Sequence, residues 1–423
     1  MKVGGRPHAG SHTGVPKRRD PHGASQLDGV RAPRRLRVTV VALLVSVSGF
    51  AFALNAFLGA APGTRLERAA PVGNGLIAIA RGLDQDIVLV NQTTGEITPL
   101  VDRNGEEPNT NNLGMVWSPD GSMLAFTDIR KNGLNGLFVL DLATRDIFDL
   151  SADLDHAADP AWSPDGRRIA FGGADSEHGY EIYMAVGDGT NRILVTDYPD
   201  DGVSGAHMPA WSPDGERIAF IVDRYDAMTE TESHGVSHVG ASGGHAITIT
   251  DGPAELPAWS PDGATVAVVR RNDDGTSSLR TVTADGREEH IVSHAGVTVA
   301  SSPASKWSPD GTWILYSYQD PETSNLGAAV TNLSTGVVRV IIEDAFIAEP
   351  VWAPDGTRVA FIRDDAGRPS PAASLWLIAP DGTDEIEVAD GLEHVTDVAW
   401  QPLPITAGGP TPPPDSSSAT APV

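Results

Sequence analysis

Trp117-Ser118-Pro119-Asp120-Gly121 is the stretch that decides the fold, because close copies of it recur along most of the chain. The pentapeptide stands again at Trp162, Trp211, Trp259 and Trp307, becomes Trp-Ala-Pro-Asp-Gly at Trp352, and is reduced to Trp-Gln-Pro at Trp400. Successive tryptophans are 45, 49, 48, 48, 45 and 48 residues apart. A repeat of this length is typical of a propeller blade, a solenoid unit or an array of small modules.

The residues around each tryptophan predict a β-hairpin. A short apolar triplet begins seven residues after the tryptophan in each unit, as Leu124-Ala125-Phe126 does after Trp117. Ser-Pro-Asp-Gly suits a tight turn, because proline presets φ, aspartate bonds its local backbone and glycine accepts positive φ. A second pair of short strands follows in each unit. No segment between the repeats shows a long run of apolar residues at the 3.6-residue spacing of a helix. Four strands per unit predict a propeller and argue against a helical solenoid.

The two ends of the repeat region are incomplete in complementary ways. Three strands precede Trp117, at Ile77 to Ile79, Ile87 to Val90 and Ile97 to Leu100, and no tryptophan strand comes before them. One tryptophan strand, Thr396 to Gln401, follows the last complete unit. Together they complete one blade and remove the free edges of an open ring. The sequence therefore predicts an all-β, seven-bladed propeller of four-stranded blades over residues 74–402, with the tryptophans as core between neighbouring sheets.

Residues 1–61 predict a membrane anchor. Residues 1–37 carry nine Lys or Arg and two Asp, and we expect them to form a disordered cytoplasmic tail. Residues 38–61 contain no charged side chain, and this length is enough for one transmembrane helix. Because the positive charge precedes the apolar segment, the propeller is expected on the extracytoplasmic side of a bacterial membrane, after a linker at 62–73. A cleaved signal peptide, processed at Ala51-Phe52-Ala53, is the alternative.

Composition restricts the partners. Of 30 Lys or Arg and 56 Asp or Glu, residues beyond position 37 hold 21 and 54, a net charge of −33. Nucleic acid is excluded as a partner, because phosphate binding needs a cationic surface. The negative electrostatic field of the chain favours a protein or peptide with basic patches as the partner. The chain has no cysteine, so that disulfides and thiol catalysis are excluded. Residues 403–423 are rich in Pro, Ser and Thr and are expected to be a disordered tail.

One face of the propeller is expected to carry the binding site. The longer segments all fall on the face opposite the Ser-Pro-Asp-Gly turns, among them 222–239, which we interpret as a loop insertion. The residues just before the tryptophans should rim the central channel on that face: Asn111, Asn112, Asp159, His207, Glu255, Glu349, His394 and Asp397. These residues could bind a basic peptide or a divalent metal. Alternatively, they could be only solvated acidic side chains at the entrance of the channel.

Two other groups of residues could bind metals. His234, His238 and His245 lie within twelve residues and could ligate a transition metal, with mobile loop histidines as the alternative. The aspartates of the Pro-Asp-Gly turns could bind calcium. A structural role explains their recurrence better, because an aspartate in a turn forms hydrogen bonds with its own local backbone. We assign no catalytic residue and no cofactor.

The repeated Trp-Ser-Pro-Asp-Gly followed by Ile-Ala-Phe resembles the WD40-like propeller repeat of TolB-type proteins over about residues 74–402. The resemblance implies a binding platform, although similar blades also cap peptidases. We therefore expect a membrane-anchored, non-catalytic module that binds a protein or peptide at its acidic channel mouth. The alternative is a metal-dependent extracytoplasmic polysaccharide lyase, because oligogalacturonate lyases resemble this chain in using a similar seven-bladed repeat.

Overall fold

The computed structural model describes residues 72–81, 86–101, 114–130, 132–177, 179–198, 203–226, 231–250, 252–300, 306–344, 347–364 and 372–404. These residues form 29 β-strands in seven antiparallel sheets, which are the blades of a propeller. The predicted anchor at 38–61, the predicted N-terminal tail, residues 405–423 of the predicted C-terminal tail, Asn111 and Asn112 lie outside the described residues. Leu403 and Pro404, which were predicted to belong to the disordered tail, are part of the last strand, where they pair with Gly73 and Val72. Among the described residues, no helix has the length and apolar character needed to cross a membrane.

The first blade joins the two ends of the repeat region, as predicted. It consists of β1 (Val72–Arg81), β2 (Asp86–Val90), β3 (Ile97–Val101) and the last strand β29 (Val395–Pro404), in the order β29-β1-β2-β3. The second blade contains β4 (Met115–Trp117), β5 (Met123–Ile129), β6 (Asn135–Asp141) and β7 (Ile147–Asp149). The third contains β8 (His156–Trp162), β9 (Arg168–Ala174), β10 (Glu181–Val186) and β11 (Ile193–Leu194).

The other four blades repeat the same order. They are β12 (Val203–Trp211), β13 (Arg217–Asp226), β14 (Thr231–Gly240) and β15 (Ile247–Thr248); β16 (Ala254–Trp259), β17 (Thr265–Arg271), β18 (Ser277–Thr283) and β19 (Glu289–Ile291); β20 (Thr298–Val299), β21 (Lys306–Trp307), β22 (Trp313–Gln319), β23 (Leu326–Asn332) and β24 (Val338–Asp344); and β25 (Ile347–Trp352), β26 (Val359–Asp364), β27 (Ala372–Ile378) and β28 (Ile386–Glu393). In the sixth blade β20 and β21 both pair with β22, as two parts of one inner strand.

The tryptophan strands of successive blades lie beside one another and therefore line the central axis. Because neighbouring strands are antiparallel, the Ser-Pro-Asp-Gly turns and the turns between third and outer strands share one face, which we call the turn face. The turns between second and third strands, and the connections between blades, lie on the opposite face, which we call the loop face.

Each tryptophan joins its blade to the preceding blade, which confirms its predicted core position. The seven side chains are 0 to 6 % exposed. The indole Nε1–H of Trp162 donates to the carbonyl oxygen of Val116 at 3.2 Å, and Trp211, Trp259 and Trp307 make the same bond to Ala161, Ala210 and Ala258. In every case the acceptor is the residue just before the tryptophan of the preceding blade. The indoles therefore fill the wedge between sheets and also fix the spacing of the inner strands.

The Ser-Pro-Asp-Gly turns are stabilised by their own side chains, as predicted. Ser118 Oγ accepts the backbone N–H of Met123 at 2.9 Å and donates to Asp120 Oδ1 at 2.6 Å. Asp120 Oδ1 also accepts the backbone N–H of Ser122, and Gly121 adopts a φ of 70°. Burial alone would raise the pKa of Asp120, but the hydrogen bonds from Ser118 and Ser122 lower it. The turn carboxylate is thus part of the turn's hydrogen-bond network.

In the first blade, Gln401 takes the place of the turn serine. No turn can join β29 to β1, because the two strands come from opposite ends of the repeat region. Gln401 Oε1 accepts the backbone N–H of Leu76 at 3.1 Å, as Ser118 Oγ accepts that of Met123 in the second blade. Gln401 Nε2 also donates to the carbonyl oxygen of Gly121 at 2.8 Å. One glutamine therefore ties β29 both to β1 and to the next blade.

Candidate functional site

Four polar side chains meet on the loop face, where the third blade adjoins the fourth: Asp159, His207, Asp223 and His234. We call them the His–Asp cluster. His207 Nε2 lies 3.1 Å from Asp223 Oδ2, and His234 Nδ1 lies 3.1 Å from Asp223 Oδ1. The side chains of His207, Asp223 and His234 are 21, 31 and 40 % exposed. One carboxylate is therefore held between two imidazoles, within reach of solvent.

The length of the fourth blade's strands brings these residues together. β13 and β14 are ten residues each, and their register places Asp223 directly opposite His234. Across the other side of β13, Gly205 pairs with Asp223 and His207 pairs with Ile221, so that His207 and Asp223 are diagonal neighbours on one sheet face. The interpretation of 222–239 as a loop insertion is wrong, because the hairpin continues as paired strand on both sides of residues 227–230.

Asp159 approaches the cluster from the third blade through a β-bulge. The pairing of β8 with β9 shifts between Ala158 and Ala161, and Asp159 has a φ of 57°. Met208 and Leu256 occupy the same position of the same bulge in the next two blades, with φ values of 53° and 58°. The bulge is therefore a feature of the repeat that re-aims one side chain per blade. In the third blade that side chain is a half-buried carboxylate.

The pKa values of the cluster are coupled. Burial raises the pKa of Asp159, against the opposing effects of His207 and of a hydrogen bond from the Met208 backbone. Burial alone would lower the pKa of His207, but the hydrogen bond to Asp223 and the charges of Asp223 and Asp159 raise it. Hydrogen bonds from both histidines outweigh burial and lower the pKa of Asp223. The cluster therefore favours a protonated His207 beside an ionised Asp223.

Two further aromatic groups extend the cluster toward the second blade. The rings of His156 and Tyr180 are 5.2 Å apart, and Asn135 Nδ2 lies 2.9 Å from His156 Nε2. Burial and the nearby charge of Arg130 lower the pKa of His156 to about 4. Burial and the charge of Asp159 raise the pKa of Tyr180. A neutral imidazole and a neutral phenol therefore lie against each other, and the phenol is close to Asp159.

Glycines leave room for these side chains. A Cβ added at Gly205 would lie 3.1 Å from Tyr180 Cβ and 3.6 Å from Asp223 Oδ2. A Cβ added at Gly172 would lie 3.5 Å from His207 Cβ. These two glycines therefore leave space for the side chains of Tyr180, His207 and Asp223.

The other residues predicted to rim the channel do not belong to the His–Asp cluster. Glu255 is half-buried in β16, and His394 is exposed beside the start of β29. Glu349 lies in β25, and its side chain is outside the described part of the molecule. Asp397 is 2 % exposed, and its carboxylate accepts the backbone N–H groups of Met115 and Val398, so that it joins the first and second blades.

The three histidines singled out as metal ligands do not converge. His234 belongs to the cluster, His238 is buried four residues further along β14 with its ring 6.0 Å from that of Trp259, and His245 is exposed beyond the end of β14. In the part of the chain that the structure describes, no three His, Asp or Glu side chains are grouped so that they could hold a metal ion. Asp223 was not predicted; the signal for it is its place directly opposite His234 in a hairpin longer than those of the other blades.

We expect His207 and His156 to titrate on opposite sides of the ordinary histidine pKa. His207 has a raised pKa, so that its contribution to stability is complete below about 6.5 and is lost as the pH rises through its folded-state value. His156 has a lowered pKa, so that its contribution is present above about 6.5 and is lost as the pH falls toward 4. Imidazole nitrogen NMR over a pH series measures both.

The charge of Asp223 is the expected cause of the shift at His207. Asp223→Asn should lower the pKa of His207, whereas Asp214→Asn, on the turn face, should leave it in place. A His207 pKa that is the same in both variants would contradict this assignment.

Comparison with known proteins places the chain in a family. The profile of the TolB beta propeller domain matches residues 83–296 and 208–404, which together cover well over half of the chain. The chain belongs to the TolB β-propeller family. A search of curated proteins found no match to this TolB-family propeller.

Solved structures share the fold at low identity. An oligogalacturonate lyase in complex with manganese is 16 % identical, with a TM-score of 0.54 over 75 % of this chain and 84 % of that one. A puromycin-hydrolyzing peptidase from Mycobacterium tuberculosis is also 16 % identical, with a TM-score of 0.54 over 83 % of this chain and 55 % of that one, so that the propeller spans about half of the peptidase. TolB from Acinetobacter baumannii is 17 % identical, with a TM-score of 0.48 over 78 % and 82 % of the two chains.

Proposed function

We propose that this TolB-family propeller is a non-catalytic binding module, held on the extracytoplasmic side of a bacterial membrane by residues 38–61, which captures a basic protein or peptide on its loop face. The observation that carries the proposal is the position of Asp159, a half-buried carboxylate on an inner strand beside His207 and Tyr180. A rigid scaffold presents this polar group near the channel, which is where propellers offer a concave surface.

The raised pKa of Asp159 supports a cationic ligand. Burial destabilises the ionised form of this carboxylate, and a cation placed beside it would restore the lost stabilisation. A lysine ammonium or an arginine guanidinium from a partner has the required charge and hydrogen-bond donors. Binding of such a group therefore favours the ionised form of Asp159.

Charges elsewhere on the loop face support a basic partner. The turns between second and third strands carry exposed carboxylates at Glu177, Asp273, Asp274 and Glu322. Three arginines near this face already have anionic partners: Arg130 pairs with Asp149, Arg270 with Glu289 and Arg363 with Glu385. The carboxylates of these turns therefore contribute a negative field that an approaching partner meets.

A lysine-rich peptide is a suitable first probe. Wild-type protein is expected to bind it in isothermal titration calorimetry, more weakly as salt increases. Asp159→Lys should weaken binding about tenfold or more, because a charge-assisted hydrogen bond contributes ~1.5–3 kcal/mol and reversal adds repulsion. Glu216→Lys is the matched control, since it makes the same charge change at an exposed position of the turn face. Equal weakening by both variants would contradict a specific role for Asp159.

The His207–Asp223 pair supports a second candidate, a polysaccharide lyase. A carboxylate that orients an imidazole is an arrangement used in general acid–base catalysis. The manganese named for the solved lyase does not fit this cluster, because both oxygens of Asp223 already face imidazole nitrogens and no metal-binding group occurs among the described residues. We therefore derive no step through a metal. Incubation with oligogalacturonate separates the candidates: a lyase forms an unsaturated product that His207→Ala abolishes, and a binder forms none.

A further inference from the structure

We propose that the turn face of the propeller lies against the bilayer, with a rim of exposed aliphatic side chains at the lipid interface, and that the loop face points away from it. This inference rests on the proposed anchor and adds the orientation of the binding face. Two independent features of the turn face support this orientation: the start of β1 and the distribution of exposed isoleucines.

The chain enters the propeller at the turn face. Val72, the first residue of β1, pairs with Pro404, which lies beyond Trp400 on β29. The neighbouring Asn74 donates from Nδ2 to Asp355 Oδ2 at 2.9 Å, and Asp355 belongs to the Trp-Ala-Pro-Asp-Gly turn of the seventh blade. Gln401 bonds the backbone of Gly121 in the corresponding turn of the second blade. These contacts fix the start of β1 among the turns of this face.

The short segment before β1 limits how far this face can move from the anchor. Residues 62–71 connect the apolar segment to β1, and ten residues span at most about 35 Å when fully extended. A seven-residue strand such as β5 separates the two faces by about 23 Å. Because the tether is attached at the turn face, the loop face can approach the bilayer only when this segment extends past the side of the propeller.

Exposed aliphatic side chains lie around the same face. Outer strands begin at the turn face, and five of them begin with an isoleucine that is 40 to 50 % exposed: Ile97, Ile147, Ile193, Ile247 and Ile386. We call these five residues the aliphatic rim. Their side chains lie in different blades and so cannot cover one another. A bilayer beside the turn face would remove part of this apolar surface from water.

Four carboxylates of the turn face are held by the turns themselves. Asp120, Asp165, Asp262 and Asp310 each accept a hydrogen bond from the serine two residues before and from a backbone N–H two residues after. These groups keep their hydrogen bonds when water is displaced. The loop face carries instead the His–Asp cluster beside Asp159, which is the proposed binding site.

The absence of cysteine allows a direct test with single labels on the full chain. Ile147→Cys places a fluorophore on the aliphatic rim, and Glu322→Cys places one on the loop face. Each labelled protein is reconstituted in vesicles of phosphatidylethanolamine and phosphatidylglycerol that contain an acceptor-labelled lipid. We expect efficient energy transfer from position 147 and weak transfer from position 322. Equal transfer, or stronger transfer from position 322, would overturn the proposed orientation.

Two further measurements separate the parts of the inference. Replacing Ile97, Ile193, Ile247 and Ile386 by serine should reduce transfer from position 147; unchanged transfer would overturn lipid contact by the aliphatic rim. Flotation tests the anchor itself: protein that does not float with vesicles would overturn the anchor and this inference together. Binding of the lysine-rich peptide is measured without vesicles, so that the peptide-binding proposal fails or holds separately.

Discussion

Trp211→Ala is expected to lower the free energy of unfolding by about 3–5 kcal/mol, the range for removing a large buried aromatic side chain. Trp211 is fully buried, its indole Nε1–H donates to the Ala161 carbonyl oxygen at 3.0 Å, and Arg168 stacks on its ring with the guanidinium carbon 4.8 Å from the centroid. The substitution removes the wedge between the third and fourth blades. Urea unfolding followed by circular dichroism measures the loss.

A matched pair of phenylalanine substitutions isolates the hydrogen bond. Trp211→Phe keeps an aromatic ring but leaves the Ala161 carbonyl oxygen without its indole donor, whereas Nε1 of Trp400 is buried and makes no hydrogen bond to any residue that the structure describes. We expect Trp211→Phe to cost about 1 kcal/mol more than Trp400→Phe, the usual net contribution of a buried hydrogen bond. Equal costs would show that the indoles stabilise the propeller by packing alone.

Deleting residues 395–423 is expected to abolish cooperative unfolding, because it removes the inner strand of the first blade. β29 pairs with β1 from Val395 to Pro404, supplies the carbonyl oxygen that Trp117 Nε1 bonds at 3.1 Å, and carries Gln401. Its loss exposes the backbone edge of β1 and part of the core that contains Ile77, Ile79 and Trp400. Calorimetry should show no sharp unfolding transition for this variant.

The control for that deletion removes only residues 405–423. This variant keeps every residue of β29 and should unfold like the full chain. If both deletion variants unfolded at the same temperature, the closure of the ring by β29 would contribute nothing to stability, which would contradict the account of the first blade.

Most of the fold can be predicted from the sequence because the repeat encodes it locally. The tryptophan, the turn and the apolar triplet recur at fixed offsets. The indole bond of Trp162 recurs at Trp117, Trp211, Trp259 and Trp307, and the serine–aspartate bond of Ser118 recurs in the four other turns that keep the serine. The closure can also be predicted, since three strands at one end and one at the other complete a blade. Gln401 could not be predicted as a substitute for the turn serine, because its role depends on β1 and β29 meeting in space.

The candidate site can be predicted only in part. Asp159 and His207 follow from their positions before the tryptophans, but the same rule also selects Asp397, which proves to be buried between blades. Asp223 contacts His207 only because the fourth blade's hairpin is long and keeps its register to Asp226. A single sequence gives the spacing of the repeat but not how far an individual hairpin continues as strand, and that length decides which polar side chains meet.

Site-specific photocrosslinking in the native membrane tests the central claim, that the loop face beside Asp159 captures a protein or peptide. A photoreactive amino acid replaces Glu177 on the loop face of the third blade or Arg167 on its turn face, both of which are exposed. We predict a discrete protein or peptide adduct from position 177 that disappears when Asp159→Lys is added. Adducts only from position 167, or adducts from position 177 that persist in the Asp159→Lys background, would contradict the account.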